Sequence, residues 1–233
     1  MKVSVIIPAY NEEARLGAAL EMLKKQDYPD FEIIVIDNAS KDKTAEVARG
    51  MGVRVVREDR KGTMWACERG RLEALGEIIV RMDADCMPTP DWLTRGVRHF
   101  KDTNVSAVTG PYDYYDADKF FRYSSLFFQK NIYWLANAIL YKTKKAGITI
   151  GGNSFLRASA MKKAGGFNTA ISFYGDDMDT AMRVAQSGRI IFDRHLAIKT
   201  SARRFKSHGV FKLTTIYWYH FFAGIFKSTK SEK

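Results

Sequence analysis

The amino-acid sequence predicts an α/β fold in which helices flank a mostly parallel central sheet. Short β-branched runs that are apolar almost throughout alternate regularly with helical stretches, a pattern typical of strands buried on both faces. Three of these runs end in polar or acidic residues, at Tyr10-Asn11-Glu12, at Asp37, and at Asp83 and Asp85. Because right-handed crossovers bring the ends of such strands to one edge of the sheet, we expect a ligand site at that edge.

The first half of the chain carries the regular part of this pattern. Asn11-Glu12-Glu13 supplies a cap and first-turn acids for a helix whose core stripe includes Leu16 and Leu23. Tyr28-Pro29-Asp30 ends this helix before the second strand. In chain order we expect strands at 3–7, 31–36, 53–56 and 76–85, and helices at 11–23, 40–48, 63–75 and 91–100.

The second half of the chain is less regular. We expect a strand at 105–109, an aromatic helical stretch at 119–141, a glycine turn at 151–154 leading into 155–157, a helix opened by 174–179 and running through 185, a short strand at 190–192, and a basic segment at 201–206. These elements predict one domain over residues 1–206, with a donor half at about 1–110 and an acceptor half at about 111–206. Residues 207–233 are expected to form a tail.

Composition limits the classes of partner. The 233 residues carry a formal charge of +11, which calls for an anionic partner such as nucleic acid, acidic lipid or a phosphorylated substrate. Nucleic acid is the least supported of the three, because the chain has no zinc-finger spacing, RNA-binding aromatic signature or basic zipper.

Cys67 and Cys86 provide neither a disulfide framework nor a metal-ligand spacing, so we expect two core residues in a reducing compartment. The chain opens on a strand-like run rather than a signal peptide.

The carboxylates of Asp83 and Asp85 follow the apolar run of Ile78, Ile79 and Val80. Two carboxylates held close together repel each other unless a cation or a proton lies between them. Hard oxygen ligands suit Mg²⁺ or Mn²⁺, and these ions commonly bind together with substrate phosphates. The alternative is a pair of aspartates that only cap a turn or a helix, since Asp is common where strands end.

Four motifs in order and spacing resemble family 2 glycosyltransferases, the inverting enzymes with the GT-A fold of nucleotide-diphospho-sugar transferases. They are Val5-Ile6-Ile7-Pro8-Ala9-Tyr10-Asn11-Glu12, Val35-Ile36-Asp37-Asn38-Ala39-Ser40, Asp83-Ala84-Asp85 and Gly175-Asp176-Asp177. The resemblance covers roughly residues 3 to 205. It implies transfer of a sugar from a nucleoside-diphosphate sugar, with Mn²⁺ or Mg²⁺ as cofactor.

The resemblance also implies roles for individual residues. Asp177 would be the general base, although Asp176 stands where the family usually has Glu. Asp85, with Asp83, would hold the metal ion, and Asp37 would bind the base, which is typically uracil. The donor-binding residues implied by the match are Pro8, Tyr10, Glu12, Asp37, Lys61, Asp83, Ala84, Asp85, Gly152, Asn153, Arg203 and Arg204.

Each implied role has a plainer alternative. Asp37 could be only a turn residue at a strand end, and Asp176, Asp177 and Asp179 could only favour a helix N-terminus. Arg203 and Arg204, which we expect at the diphosphate, could instead form a solvated basic surface. Many relatives carry a histidine near this place, where this chain has Lys199-Thr200.

Three function classes follow from these residues. The first is an inverting glycosyltransferase that uses a UDP-sugar, in which Asp177→Asn is expected to abolish transfer and spare nucleotide binding. The second is a non-catalytic nucleotide-sugar-binding protein, against which the complete acidic set argues. The third is a sugar nucleotidyltransferase, but Pro8 to Glu13 lacks the glycine-rich loop of that class.

The segment at 213–226 has no Asp, Glu, Lys or Arg and is rich in aromatic residues. A span of a bilayer needs about 20 apolar residues, so we expect an amphipathic helix that lies in the headgroup region instead. Residues 119–145 have the same character, and core packing or an oligomer contact is the alternative for both. A membrane-bound enzyme of this type would lie at the inner face of the cell membrane and use a lipid or lipid-linked glycan acceptor. Truncation after Lys206 is then expected to abolish vesicle binding.

Overall fold

A computed structural model of the protein describes residues 1–144, 146–171, 175–210, 212, 213 and 215. Within this part of the chain, seven strands form a central sheet and two short strands form a second sheet. The strands are β1 Val3–Ala9, β2 Phe31–Asp37, β3 Arg54–Arg57, β4 Ile78–Met82, β5 Val105–Thr109, β6 Tyr112–Tyr114, β7 Asn153–Arg157, β8 Arg189–Phe192 and β9 Ile198–Thr200.

The central sheet has the strand order β3-β2-β1-β4-β7-β5-β8. Neighbouring strands are parallel except at β7, which is antiparallel to both β4 and β5. The prediction of a mostly parallel sheet is therefore confirmed. Strand β7 comes from the second half of the chain yet lies beside β4 of the first half, so the expected donor and acceptor halves share one continuous sheet.

Helices cover both faces of this sheet. The α-helices are α1 Leu16–Lys24, α2 Thr44–Gly50, α3 Thr63–Glu73, α4 Trp92–Val97, α5 Lys119–Phe128, α6 Trp134–Lys144, α7 Ala158–Lys163, α8 Asp176–Val184 and α9 Arg203–His208. Turns of 3₁₀-helix follow α4 and α8, and a π-helical turn at Gln129–Tyr133 joins α5 to α6.

The core consists of two main layers, one on each face of the sheet. In β1, Val5 and Ile7 pack into one layer while Ile6 packs into the other, because successive side chains of a strand point to opposite faces. On the first face, Trp92 of α4 meets Phe155 of β7 edge to face, with ring centroids 4.8 Å apart. Burial on both faces explains why the strands read as continuous apolar runs.

Most predicted elements are present, with shifted ends. Strand β5 has the predicted bounds, and the aromatic stretch at 119–141 is helical but divided by the π-helical turn. The predicted start of the first helix is wrong, because Asn11 has a φ of +54° and the helix begins only at Leu16. The short elements β6, β9 and α7 were not predicted.

Most of the tail falls outside the described residues, including positions 216–226 of the expected amphipathic helix. Among the described helices, none has the length and apolar character that crossing a membrane requires.

Candidate active site

Three charged side chains meet at the carboxyl edge of the sheet. From α9, Arg203 donates through Nη1 to Glu12 Oε2 at 2.9 Å, and its Nη2 also bonds to that carboxylate. Its Nε lies 3.1 Å from Asp85 Oδ2. One cation thus bridges Glu12 in the loop after β1 and Asp85 in the loop after β4. These contacts place Glu12, Asp85 and Arg203 together, whereas Arg204 is exposed on the same helix.

The two aspartates after β4 have different surroundings. Asp83 Oδ2 accepts a hydrogen bond from the Tyr112 hydroxyl at 3.0 Å, and Asp85 Oδ1 accepts one from the Thr200 hydroxyl at 3.3 Å. Burial, together with repulsion by Asp83 and against the pull of Arg203, raises the pKa of Asp85 to about 6. This carboxylate is therefore in an environment that favours a nearby positive charge.

The carboxylate ligands available at this edge of the sheet fit a divalent cation. Arg203 already places positive charge against Asp85, which is what a metal ion would do there. The described residues contain no cluster of three or more His, Cys, Asp or Glu side chains of the kind that holds a metal alone. Mg²⁺ and related ions commonly take one or two carboxylates and complete their shell with water and phosphate oxygens. Asp83 and Asp85 therefore fit an ion that binds together with a diphosphate.

Gly151 and Gly152 separate this acidic pair from a second one. A Cβ atom at Gly152 would lie 2.4 Å from the Asp83 carboxylate, and one at Gly151 would lie 2.4 Å from Asp177 Oδ1. The Gly152 amide also donates to the Tyr112 hydroxyl at 2.8 Å. Only residues without a side chain allow the backbone to pass this close, so Asp83 and Asp177 each lie against one of two adjacent glycines.

The second pair, at the start of α8, is organised by Arg81 of β4. Its Nη1 lies 2.7 Å from Asp176 Oδ2 and 3.3 Å from Asp177 Oδ1. The Asp176 side chain is 12% exposed and the Asp177 side chain is 41% exposed. Desolvation by the surrounding protein, and then the charge of Asp176, raise the pKa of Asp177, while Arg81 opposes the rise. Asp177 is the carboxylate of this pair that a second molecule can reach.

Sequence reasoning missed Arg81. The sequence did contain a sign of its importance. A single arginine inside the buried run of β4 needs a partner for its charge. The partner could not be identified from sequence, since Asp176 lies 95 residues further along the chain.

The residues that the resemblance assigns to nucleotide binding include several near the carboxyl ends of β1 and β2. Asp37 is almost fully buried, and its oxygens accept from the Ser40 amide at 3.1 Å and from Arg57 Nη1 at 3.2 Å. Tyr10 is exposed, and Lys61 Nζ lies 5.9 Å from the centre of its ring. Pro8 lies in β1 and is partly buried.

Two predicted contact residues are buried instead. The Asn153 side chain is fully buried, where it accepts from Trp92 Nε1 at 2.9 Å and donates to the Leu196 carbonyl at 2.7 Å. The Asn153 side-chain amide is thus used inside the protein, and the expected place of Gly152-Asn153 beside the sugar and acceptor stays a prediction. Ala84 is also buried in the core, so its position between Asp83 and Asp85 gives it no exposed surface.

Comparison with known proteins identifies the family of the chain and supports its fold. The family model for glycosyl transferase family 2 matches residues 4–165. Glycosyltransferase AglE of Haloferax volcanii is 35% identical over 116 residues, which are 46% of this chain and 38% of that protein. Dolichol-phosphate mannosyltransferase of Pyrococcus furiosus is 36% identical over 124 residues, which are 48% of this chain and 34% of that protein. The matches thus span little more than a third of either relative.

A solved structure extends the likeness to the whole chain. The mannosyltransferase PcManGT of Pyrobaculum calidifontis, in complex with GDP-Man and Mn²⁺, aligns with a TM-score of 0.76 and 25% sequence identity. The alignment covers 100% of this chain and 65% of that one. The predicted GT-A architecture is confirmed by this agreement.

Proposed function

The chain belongs to glycosyl transferase family 2, and from this premise we propose that it moves a sugar from a nucleoside-diphosphate sugar to an acceptor hydroxyl with inversion at the anomeric carbon. The observation that carries the proposal is the placement of two acidic pairs against the adjacent residues Gly151 and Gly152. One pair lies beside a cation, and the other presents a single accessible carboxylate. A leaving group and an attacking group need two such environments close together.

In this proposal Asp177 is the general base. It takes the proton of the acceptor hydroxyl while the oxygen attacks the anomeric carbon and the bond to the diphosphate breaks. Arg81 holds Asp176 inside the protein, which leaves Asp177 facing the acceptor. A single displacement inverts the anomeric centre, and a retaining double displacement would need a carboxylate nucleophile as well.

In this proposal the leaving diphosphate binds beside the other acidic pair, Asp83 and Asp85. Asp85, with Asp83, would hold Mn²⁺ or Mg²⁺, which supplies Lewis-acid neutralisation of the phosphate charge. Arg203 adds a cation at the same place, with Arg204 next to it on α9. When a donor binds, the Arg203 guanidinium would exchange some of its contacts with Glu12 and Asp85 for phosphate oxygens, which an arginine fork also binds in bidentate fashion.

Uridine is the proposed base of the donor. One oxygen of Asp37 is engaged by the Ser40 amide, and Arg57 donates to the other oxygen from a half-exposed position. An imide edge, which has one N–H between two carbonyls, can donate to the Asp37 carboxylate and accept from the Arg57 guanidinium. Guanine, the base of the donor bound in PcManGT, presents two N–H groups and is the competing choice.

The proposed acceptor is a lipid or a lipid-linked glycan. The name of the Pyrococcus furiosus relative places its transfer on dolichol phosphate, which supports an acceptor of this class. An enzyme that combines a cytosolic nucleotide sugar with such an acceptor would lie at the inner face of the cell membrane.

A thermal-shift panel tests the proposal. UDP and UDP-sugars are expected to stabilise the protein only when Mn²⁺ or Mg²⁺ is present, because ligands that bind the folded state raise its apparent stability. Asp177→Asn should retain this shift and lose turnover of the stabilising UDP-sugar. A larger shift with GDP compounds would overturn the assignment of the base, and unchanged turnover in the variant would overturn the role of Asp177. Binding without turnover by the unaltered protein would favour a non-catalytic nucleotide-sugar-binding protein.

A further inference from the structure

The helical run from α5 through α6 presents apolar side chains to solvent. Phe120, Tyr123 and Phe127 follow the spacing i, i+3, i+7, which places them on one helical face. The same spacing recurs from Ile132, within the π-helical turn, to Ile139 of α6. We call these residues the outer face; they are Phe120, Tyr123, Phe127, Ile132, Leu135 and Ile139. Each is between 43% and 84% exposed. In an ordinary amphipathic helix such a stripe would be buried against the core.

The opposite side of this run is fixed to the domain. Phe121 packs on Phe205 with ring centroids 5.0 Å apart, and the Asn137 amide donates to the Ile190 carbonyl at 2.9 Å. Gln129 is buried and accepts from the Tyr112 amide at 2.9 Å. The outer face is therefore held outward by contacts made behind it, and a row of six exposed apolar side chains is typical of an interaction site.

The charge pattern around the outer face selects its partner. No Asp or Glu occurs from Lys119 to Gly175, while residues 119–145 contain six Lys and Arg: Lys119, Arg122, Lys130, Lys142, Lys144 and Lys145. Arg122 pairs with Asp113, and among the described residues Lys119, Lys130 and Lys142 add positive charge along the same helices. A second copy of the chain meeting the same face would bring like charges together, whereas an anionic lipid surface supplies the opposite charge. The aliphatic members of the face also suit acyl chains.

We infer that the outer face docks on an anionic lipid bilayer, with its apolar side chains inserted at the headgroup level and its lysines on lipid phosphates. The docking itself stands on this surface alone, whereas its purpose, to present a membrane-borne acceptor, rests on the proposed function. The same segment leads directly to the site. Gln129 holds Tyr112, and the Tyr112 hydroxyl bonds to Asp83, so the docked helices lie beside the edge where the reaction would occur.

Co-sedimentation of the full chain with vesicles of phosphatidylcholine and phosphatidylglycerol tests the inference. F120S/F127S and L135S/I139S are each expected to lower the partition constant by about tenfold or more, because each removes two inserted apolar side chains. The matched control is L72S/L75S, whose leucines are 64% and 69% exposed near the opposite, amino edge of the sheet. This control should bind within about twofold of the unaltered chain.

A charge variant and a salt series complete the test. K119E/K130E/K142E should bind anionic vesicles at least about tenfold more weakly and with a shallower salt dependence. Equal binding by all variants, or equal binding to pure phosphatidylcholine vesicles, would overturn the inference. Self-association that F120S/F127S abolishes, without vesicle binding, would assign the face to a second copy instead. The nucleotide thermal shift, measured on the same variants, shows that they are folded and separates failure of docking from failure of the donor site.

Discussion

Asp176 and Asp177 are adjacent in sequence but differ in their surroundings. The motif in the sequence indicates that this pair is a candidate for catalysis. It does not indicate which of the two carboxylates is accessible, because that depends on Arg81, which lies on another element. Asp176 is oriented inward by the 2.7 Å contact with that guanidinium. The replacement of the usual Glu by Asp at 176 is therefore accommodated by a nearby cation.

Replacing Arg81 should destabilise the fold strongly. Arg81→Met leaves the Asp176 carboxylate buried without its partner, which costs about 3–5 kcal/mol of unfolding free energy. Urea unfolding measures this loss, and Arg81→Lys should recover part of it because the charge remains. The control is Arg49→Met on exposed α2, expected within about 0.5 kcal/mol of the unaltered chain. A similar small effect for both methionine variants would contradict the account of Arg81.

Gly152 offers a test of the close approach at the site. The Cβ of Gly152→Ala would meet the Asp83 carboxylate and the Tyr112 hydroxyl at 2.4 Å, so one of these groups must move. The Kd for UDP in the presence of Mn²⁺ should rise about tenfold or more, as measured by calorimetry. Gly50→Ala is the matched control, because a Cβ there has no neighbour within 4 Å. Unchanged UDP affinity in Gly152→Ala would show that the glycine is not needed at this position.

At the scale of elements, the sequence predicted those helices and strands whose hydrophobic and turn residues form a clear local pattern. Strand β5 has the predicted bounds because β-branched residues dominate it and the turn-forming residues Asn104 and Gly110 flank it. The antiparallel direction of β7 was not predictable, since it depends on which strands it joins. The start of α1 was misplaced because Glu12, which reads as a first-turn acid, is used by Arg203 instead. Tertiary contacts overrode local preference at this point.

The 3₁₀ turn after α4 is fastened to the loop after β8 by Asp193. The Asp193 carboxylate accepts from His99 at 2.8 Å, from Arg98 at 3.1 Å and from the His195 amide at 2.8 Å. Although burial opposes them, these hydrogen bonds hold the pKa of Asp193 well below its usual range. The contribution to stability is complete above the ordinary pKa of about 3.9 and is lost as the pH falls below it.

Asp193→Asn should therefore change the acid limb of the stability curve. At pH 7 the variant should lose about 1.5–3 kcal/mol, the range for hydrogen bonds that involve charged groups. Urea unfolding between pH 5 and 3 should show a steeper fall for the unaltered chain than for the variant, because only the former has this carboxylate to protonate. Parallel pH curves would contradict the role assigned to Asp193.

At the scale of the whole molecule, the site is assembled from segments far apart in sequence. The contact between Glu12 and Arg203 joins positions 191 residues apart, and Asp83 meets Tyr112 of β6, an element too short to predict. Sequence patterns could place Asp37, Asp83 and Asp85 at one edge because parallel strands end together there. They could not place Arg81, Tyr112 or the buried Asn153 amide, whose positions follow from packing. The same long-range packing turns the outer face of α5 and α6 toward solvent.

The anomeric configuration of the sugar released from an α-linked UDP-sugar tests the central claim most directly. With water as acceptor and Mn²⁺ present, proton NMR at early times should show the β anomer first, because one displacement inverts the centre. Asp177→Asn should slow release by about a hundredfold or more, whereas Asp179→Asn, two residues further along α8 and paired with Arg183, should release sugar at nearly the unaltered rate. Initial release of the α anomer, or undiminished release by Asp177→Asn, would contradict inverting transfer with Asp177 as the base.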